Sequence, residues 1–400
     1  MTKLQKIFIF LLLLQFQNRA FSFEAGNGIS IDFLGDTLSI STIERIHLQT
    51  PLNYDQTSVE QTVELLTSSR SSHEIMGQIK TLKDKKELCD WLVYQLIRKT
   101  ANQLIAKDND YLGYTIAKWF LLKKMGYNAM MTLENDRVLL FVESNDIIYN
   151  IPLKMVDGKQ YVCLNFHDYN YSTKISTDEL IVKSNKDITT PFSFQITQLP
   201  KLSSDQYEEK SLTFEYGNQI EKINIKINSS LKNYFLNYPT TEYSNQFNIP
   251  FSEETKNSLV TALRKKTSGM TMKDGLEYIM YFTRYAFLFE KDSDYFGREK
   301  RLSPEETLLY SKSDCEDRSA LFYALVKEIY NLPMIILSYP DHVTVGVKLD
   351  KPIGSPISYG DELYTIFEPT PQRKDLKIGQ LNNHLKSKSF EVAFAYHPSK

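Results

Sequence analysis

Hydrophobic and polar positions along the chain fall into a helical regime followed by a strand regime, and that succession occurs twice. From Thr57 to about Ala106 apolar residues recur at helical spacing; in "KELCDWLVYQLIRKTANQL", Leu88, Trp91, Leu92, Leu96 and Ile97 share one face. A second helix is predicted over Tyr114–Met125, with Gly126 as its stop. Four short apolar runs separated by polar turns follow, "YNAMMTLEN", "RVLLFVES", "IIYNIPL" and "QYVCLNF", and these predict strands. The first half therefore reads as helices feeding an antiparallel sheet.

Between 190 and 227 the pattern changes. "PFSFQIT", "SLTFEY" and "IEKINIKI" alternate apolar and polar residues, and Gly217-Asn218 sits between the last two as a hairpin turn. This predicts a small β module. Helical spacing returns in "SLVTALRKK" and in "TMKDGLEYIMYFTRYAFLF", where Thr271 and Asp274 form an N-terminal capping pair. The segment "RLSPEETLLYSKSDCEDRSALFYALVKEIY" and the strands "MIIL", "HVTVGVKL" and "LYTIFE" complete the second half.

The halves align. At a constant offset of 205, "FLLKKMGYNAMMTLENDRVLLFV" falls on "LVKEIYNLPMIILSYPDHVTVGV" without a gap. Asp110 then stands where the second half has Cys315, and Arg137 where it has His342. Matching Tyr161 to Tyr364 sets Asn165 opposite Glu368. None of the first-half residues supports thiol chemistry, so that half reads as a degenerate copy.

Charge and composition exclude some partners. Residues 1–22 combine Lys3 and Lys6, an apolar run from Ile7 to Leu14, and the small pair Ala20-x-Ser22, the pattern of a cleaved secretory signal. Export to a periplasm or the extracellular space is expected, with no integral membrane segment once the signal is removed, since no later run is long and apolar enough to span. Loss of Lys3, Lys6 and Arg19 takes the formal charge from -2 to -5, too mild and too negative for a nucleic-acid partner. Three cysteines, Cys89, Cys163 and Cys315, are too few for a disulfide framework; at most Cys89 pairs with Cys163.

Candidate chemistry concentrates at "YSKSDCEDRSALFYALV". Ser313 or Asp314 caps a helix, so Cys315 falls in the first turn, where unpaired amides and the helix dipole lower a thiol pKa. The flanking Asp314, Glu316 and Asp317 oppose that effect. His342 opens a strand with Val343, Val345 and Val347 on the opposite face. Glu368 ends the next strand before Pro369, at its rim, where a carboxylate orients an imidazole. Asp317 and Arg318 read as structural, a first-turn acid and an ion-pair partner.

This order, a cysteine at a helix start followed by a histidine and an acid on successive strands, resembles the transglutaminase-like superfamily of papain-related cysteine enzymes. The resemblance is carried by "EETLLYSKSDCEDRSALFYALV", "YPDHVTVGV" and "FEPT", and covers about residues 250–372. It implies Cys315 as nucleophile, His342 as base and Glu368 as orienting acid, with glutamate where the family usually has aspartate. It also implies thiolate attack on an amide or peptide carbonyl, a thioester, and hydrolysis or transfer to an amine. The Cys315 N–H is one oxyanion donor, and Tyr310 is a candidate for the second.

The expected fold class is α+β, with two papain/transglutaminase-like helix-plus-antiparallel-sheet units. The boundaries are a signal peptide over 1–22, a degenerate unit over 23–185, a β-rich insert over 186–248 and a second unit over 249–400. The expected partner is a protein or peptide substrate. "SHEIMGQ" has Gly77 where a zinc helix needs its second histidine, so His73 reads as a solvated helix residue, and Gly26-x-Gly28 is not followed by a phosphate loop. No metal or cofactor is implied. The alternative function is a catalytically idle binding or assembly module of the cell envelope built on the same fold.

Overall fold

The computed structural model describes residues 21–48, 55–134, 137–172, 180–183 and 190–398. The signal expected over 1–22 lies outside them but for its last two residues. The fold is α+β, and the chain divides into two compact units. The first comprises residues up to Leu82, Val93–Ser144 and Pro152–Phe192; the second comprises Lys83–Leu92, Asn145–Ile151 and Ser193 onward.

Strands β1 (Phe21–Phe33) and β2 (Asp36–Leu48) form a hairpin. Helices α1 (Gln56–Ser68), α2 (Arg70–Lys86), α3 (Asp90–Leu104) and α4 (Tyr111–Lys124) follow. The single helical region expected from Thr57 to Ala106 is thus three helices. It breaks where Ser69 turns extended and where Glu87 takes a left-handed φ of 53°. Helix α4 is buried from Leu112 to Leu122 and runs on into Gly126, whose φ of +94° ends it as expected.

Next come β3 (Ala129–Glu134), β4 (Arg137–Glu143), β5 (Ile148–Tyr149), β6 (Leu153–Val156), β7 (Lys159–Cys163) and β8 (Leu180–Lys183). "IIYNIPL" is not one strand. Left-handed Asn150 and then Pro152 divide it, and Pro152 lacks the amide a ladder needs. In the first unit the sheet order is β6-β7-β4-β3-β8, antiparallel throughout.

"PFSFQIT" does not pair as a strand. Its Phe192, Phe194 and Ile196 are nonetheless buried, because Asp146 accepts the Phe194 amide and satisfies the backbone without a ladder. Strands β9 (Glu208–Tyr216) and β10 (Gln219–Ile227) do form the expected hairpin, with Gly217 and Asn218 at φ 58° and 61° as a two-residue turn demands. Beyond them residues 186–248 are not all β. Short helices α5 (Leu231–Phe235) and α6 (Tyr243–Phe247) flank β11 (Thr240–Thr241), which pairs with β5.

Helices α7 (Glu253–Thr267) and α8 (Met272–Tyr285) lie against the β9–β10 hairpin. Phe214 meets Tyr278 and Phe282 edge-on at 5.3 and 5.5 Å, so the hairpin shares a core with the helices of its own unit. Thr271 caps α8 through the Asp274 amide, as the sequence predicts. Strand β12 (Leu288–Phe289), helices α9 (Asp292–Tyr295) and α10 (Pro304–Leu309) and strand β13 (Lys312–Ser313) lead to helix α11 (Cys315–Tyr330), buried from Asp317 to Val326. Strands β14 (Met334–Tyr339), β15 (His342–Lys348), β16 (Ile357–Tyr359) and β17 (Glu362–Phe367), helix α12 (Asn383–Lys386) and strand β18 (Glu391–Tyr396) complete the second sheet.

That sheet has the order β16-β17-β15-β14-β18 and is again antiparallel throughout. The two sheets match strand for strand in sequence order. At the offset of 205, every β3–β4 pair falls on a β14–β15 pair, from Ala129↔Val142 on Met334↔Val347 to Glu134↔Arg137 on Tyr339↔His342. Tyr161 faces Glu143 as Tyr364 faces Lys348. Since a one-residue slip would turn every side chain to the other face, the match fixes which residues correspond.

Candidate active site

Asp314 starts α11 with extended backbone and accepts the Glu316 amide at 3.1 Å and the Asp317 amide at 3.5 Å. Asp317 returns a bond from the Asp314 amide, closing a capping box. Cys315 is therefore held at the first helical position, half-buried, by chemistry local to four residues. The Asp317 carboxyl also accepts the Leu302 amide at 2.8 Å, which ties the helix start to the chain before α10.

Arg318 is not the ion-pair residue its sequence context implies. Fully buried, it donates to Ser313 Oγ at 3.1 Å, to the Phe287 carbonyl at 3.0 Å and to the Arg284 carbonyl. Arg284 in turn donates from Nε to the Glu368 carbonyl at 3.1 Å, and from Nη2 to the same oxygen and to the Leu376 carbonyl. These guanidiniums are spent on main-chain oxygens that the end of a helix or strand leaves unpaired. The chain of bonds joins the start of α11 to the end of β17.

The tight β14–β15 turn places His342 across from Tyr339. His342 Nε2 lies 2.7 Å from Glu368 Oε2, with side-chain exposures of 11% and 1%. The other carboxylate oxygen accepts the Thr370 amide at 2.9 Å, so Glu368 is fixed at both oxygens. Burial lowers the His342 pKa, but the hydrogen bond and charge of Glu368 outweigh it and the net shift is upward. With Nε2 on the carboxylate, Nδ1 is the ring nitrogen left for proton exchange.

The thiol departs from the expectation for a helix start. Burial, then the neighbouring Glu316 and Asp314, push the Cys315 pKa well above its ordinary value, and the Val343 backbone N–H only partly offsets them. At neutral pH the proton rests on sulfur. Carboxyl oxygens of Asp314 and Glu316 and the Cys315 sulfur all lie within 4.8 Å of one another, so the acids add to the burial that outweighs the helix amides.

Cys315 and His342 line one cavity of about 840 Å³, together with Tyr339, Thr370, Tyr243 and Asp314. Tyr310 is not in its wall; the ring packs on Tyr295 and Phe296 instead. Sequence reasoning missed Tyr339, Thr370, Asp292, Glu299 and Arg301, because they come from loops and strand ends with no periodic signal. A second group, Asp292, Asp314 and Asp317, also has ligand atoms within 4.8 Å of one another. Burial and mutual repulsion raise Asp292 to about 8 and Asp314 to about 9, and push Asp317 well above the ordinary carboxylate value. Backbone amides of Lys300 and Leu302 already bond Asp292 and Asp317 at 2.8 Å. The raised values favour the protonated form of Asp292 and Asp314 at neutral pH. All three cysteines are free, Cys163 buried and the others half-buried, and His73 bonds back to the Ser69 carbonyl.

In the first unit the corresponding positions carry another network. Asp110 caps α4 by accepting the Gly113 amide at 2.7 Å, so by cap position the counterpart of Cys315 is Tyr111 rather than Asp110. The Tyr111 hydroxyl accepts from Asn165 Nδ2 at 2.8 Å and donates to Asp168 at 2.8 Å. Asn165, at the Glu368 position, also bonds both backbone groups of strand β4 beside it, at Leu140 and Val138. Comparison of the chain with protein-family models, with curated proteins and with solved structures returns no match.

Proposed function

We propose that the second unit is a transglutaminase-like cysteine enzyme acting on an amide or peptide carbonyl, and that the first unit is a degenerate copy of it. The observation that carries this is the His342–Glu368 pair at 2.7 Å in the wall of a cavity shared with Cys315. A buried carboxylate on one ring nitrogen leaves the other to act as base, and the sulfur stands at the first turn of a helix whose own N–H serves a developing oxyanion.

In the proposed reaction, His342 Nδ1 takes the thiol proton as sulfur attacks the carbonyl carbon. Glu368 stabilises the imidazolium, and the Cys315 N–H receives the oxyanion. Collapse breaks the C–N bond, the imidazolium protonates the departing amine, and a thioester remains. Water or a second amine attacks it with His342 again as base, and the proton returns to sulfur. The raised thiol pKa makes base assistance necessary, since little free thiolate is present to attack unaided.

The same raised pKa favours a second reading, an idle binding module with a retained triad. Mass spectrometry after a brief mixing with an activated acyl ester separates the two. An acyl adduct on Cys315 that is absent in His342→Ala supports the enzyme, and equal adduct in both refutes base-assisted chemistry. Export rests on residues 1–22 alone, and N-terminal sequencing of the mature chain tests it.

A further inference from the structure

We propose that Thr344 is a positioning residue for the His342–Glu368 pair, holding the main chain that carries the carboxylate within hydrogen-bond distance of the ring. The proposal rests on the cysteine-enzyme reading for the pair's part in a reaction, but the geometry it concerns exists without turnover. Strands β15 and β17 pair from Lys348↔Tyr364 to Val345↔Phe367, and there the ladder ends. His342 lies three residues past that end on one strand, and Glu368 one residue past it on the other. The 2.7 Å bond between their side chains is thus made beyond the last residues that the two strands pair.

Side chains take over where the ladder stops. Thr344, fully buried, donates from Oγ1 to the Phe367 carbonyl at 2.8 Å. That oxygen belongs to the peptide unit on the N-terminal side of the Glu368 Cα. The peptide unit on the C-terminal side is held by Arg284, whose Nε donates to the Glu368 carbonyl at 3.1 Å. Both backbone torsions of Glu368 therefore lie between tethered peptide units, and the Thr370 amide holds the carboxylate oxygen that does not meet the ring. Thr344 stands two residues from His342 on the same face of β15, so its hydroxyl ties the strand that carries the imidazole to the peptide that carries the carboxylate. Glutamate has one more rotatable bond than aspartate; without the tether its carboxylate spreads over more positions, few of which meet Nε2.

A neighbouring bond supplies the comparison. Ser319 of α11, equally buried, donates from Oγ to the Val343 carbonyl at 2.9 Å. It ties the helix to β15, not β15 to β17. Loss of either hydroxyl removes one buried hydrogen bond beside His342, but only the Thr344 hydroxyl bears on the carboxylate. Besides Glu368, the charges of Asp341 and Glu316 act on the His342 ring, and a change at Thr344 leaves both in place.

The test uses the full-length chain with isotope-labelled histidine rings and reads the His342 pKa by NMR titration, its signal assigned by its loss in His342→Gln. Thr344→Val keeps the shape of the side chain and deletes the hydroxyl. In it the His342 pKa is expected to fall below that of the wild type, because the carboxylate then opposes burial less. Acylation by p-nitrophenyl acetate should slow about two- to tenfold. Thr344→Ser restores the hydroxyl and should return both readings to wild type, and Thr344→Ala, the second variant without one, should repeat the fall if valine disturbs the fold. Ser319→Ala should leave the His342 pKa where the wild type has it. An unmoved His342 pKa in Thr344→Val and Thr344→Ala, folded by circular dichroism, overturns the proposal. So does an equal fall in Ser319→Ala or in Thr344→Ser. Failure of wild-type Cys315 to acylate, with the His342 shift present, refutes the enzyme reading alone.

Discussion

Replacing Glu368 by glutamine tests the proposed mechanism most directly. The substitution keeps the shape of a residue at 1% exposure, and the glutamine oxygen still accepts the Thr370 amide. It removes the charge and the bond that hold the His342 pKa up, leaving burial to pull it below its ordinary value. A hydrogen bond to a buried charged group is worth roughly 1.5–3 kcal/mol, so losing it as the imidazolium forms slows acylation about 10- to 150-fold. With the glutamine oxygen on the Thr370 amide, its NH₂ faces Nε2 and selects the wrong tautomer, which slows acylation further. Stopped-flow single-turnover acylation by an activated ester, over a range of pH, reads both effects. The limb that reports His342 should move to lower pH while the plateau drops, with an unchanged circular dichroism spectrum. A wild-type plateau with an unmoved limb, while His342→Ala is inactive, would refute the role of Glu368.

Other outcomes follow from the same structure. Alkylation of Cys315 by iodoacetamide should be slower than that of free cysteine at pH 6 and accelerate steeply into alkaline pH, because burial, Glu316 and Asp314 raise its pKa; rapid reaction at pH 6 refutes this. Asp292, with a folded pKa raised to about 8, contributes stability that is present below its unfolded value and lost as pH climbs through 8. Asp292→Asn should therefore raise the melting temperature at pH 9 by about 2–4 °C while changing it little at pH 4, and the opposite order counts against a buried neutral carboxyl. In the first unit, Lys118 is fully buried, its Nζ, 4.4 Å from the Tyr114 ring centre, has no hydrogen-bond partner among the described residues, and burial pushes its pKa down to about 7. Folding thus costs more as pH falls from 10 to 7, so Lys118→Met should stabilise by a few kcal/mol at pH 6 and far less at pH 10 in thermal melts. Tyr111→Phe removes the bonds to Asn165 and Asp168 and should lower stability by about 1–3 kcal/mol in urea titration without slowing Cys315 acylation.

The repeated succession of helix and strand is legible in the sequence because period 3.6 and period 2 burial are written in consecutive residues. The same holds for the caps at Asp314 and Thr271, the Gly217-Asn218 turn and the offset that sets His342 opposite Arg137. Each depends on groups within a few residues of one another, where backbone geometry leaves little choice. What depends on distant chain segments was not written there. The breaks at Ser69 and Glu87 and the burial of unpaired "PFSFQIT" follow from what each segment packs against. Arg318 reads as an ion-pair partner, and only folding brings the Arg284 and Phe287 carbonyls to it. Cys315 most clearly shows the division. Its place at a helix start is fixed locally, but its protonation is set by burial and by acids gathered around one cavity. Coulomb and desolvation energies depend on separation in space, which the order of residues does not give.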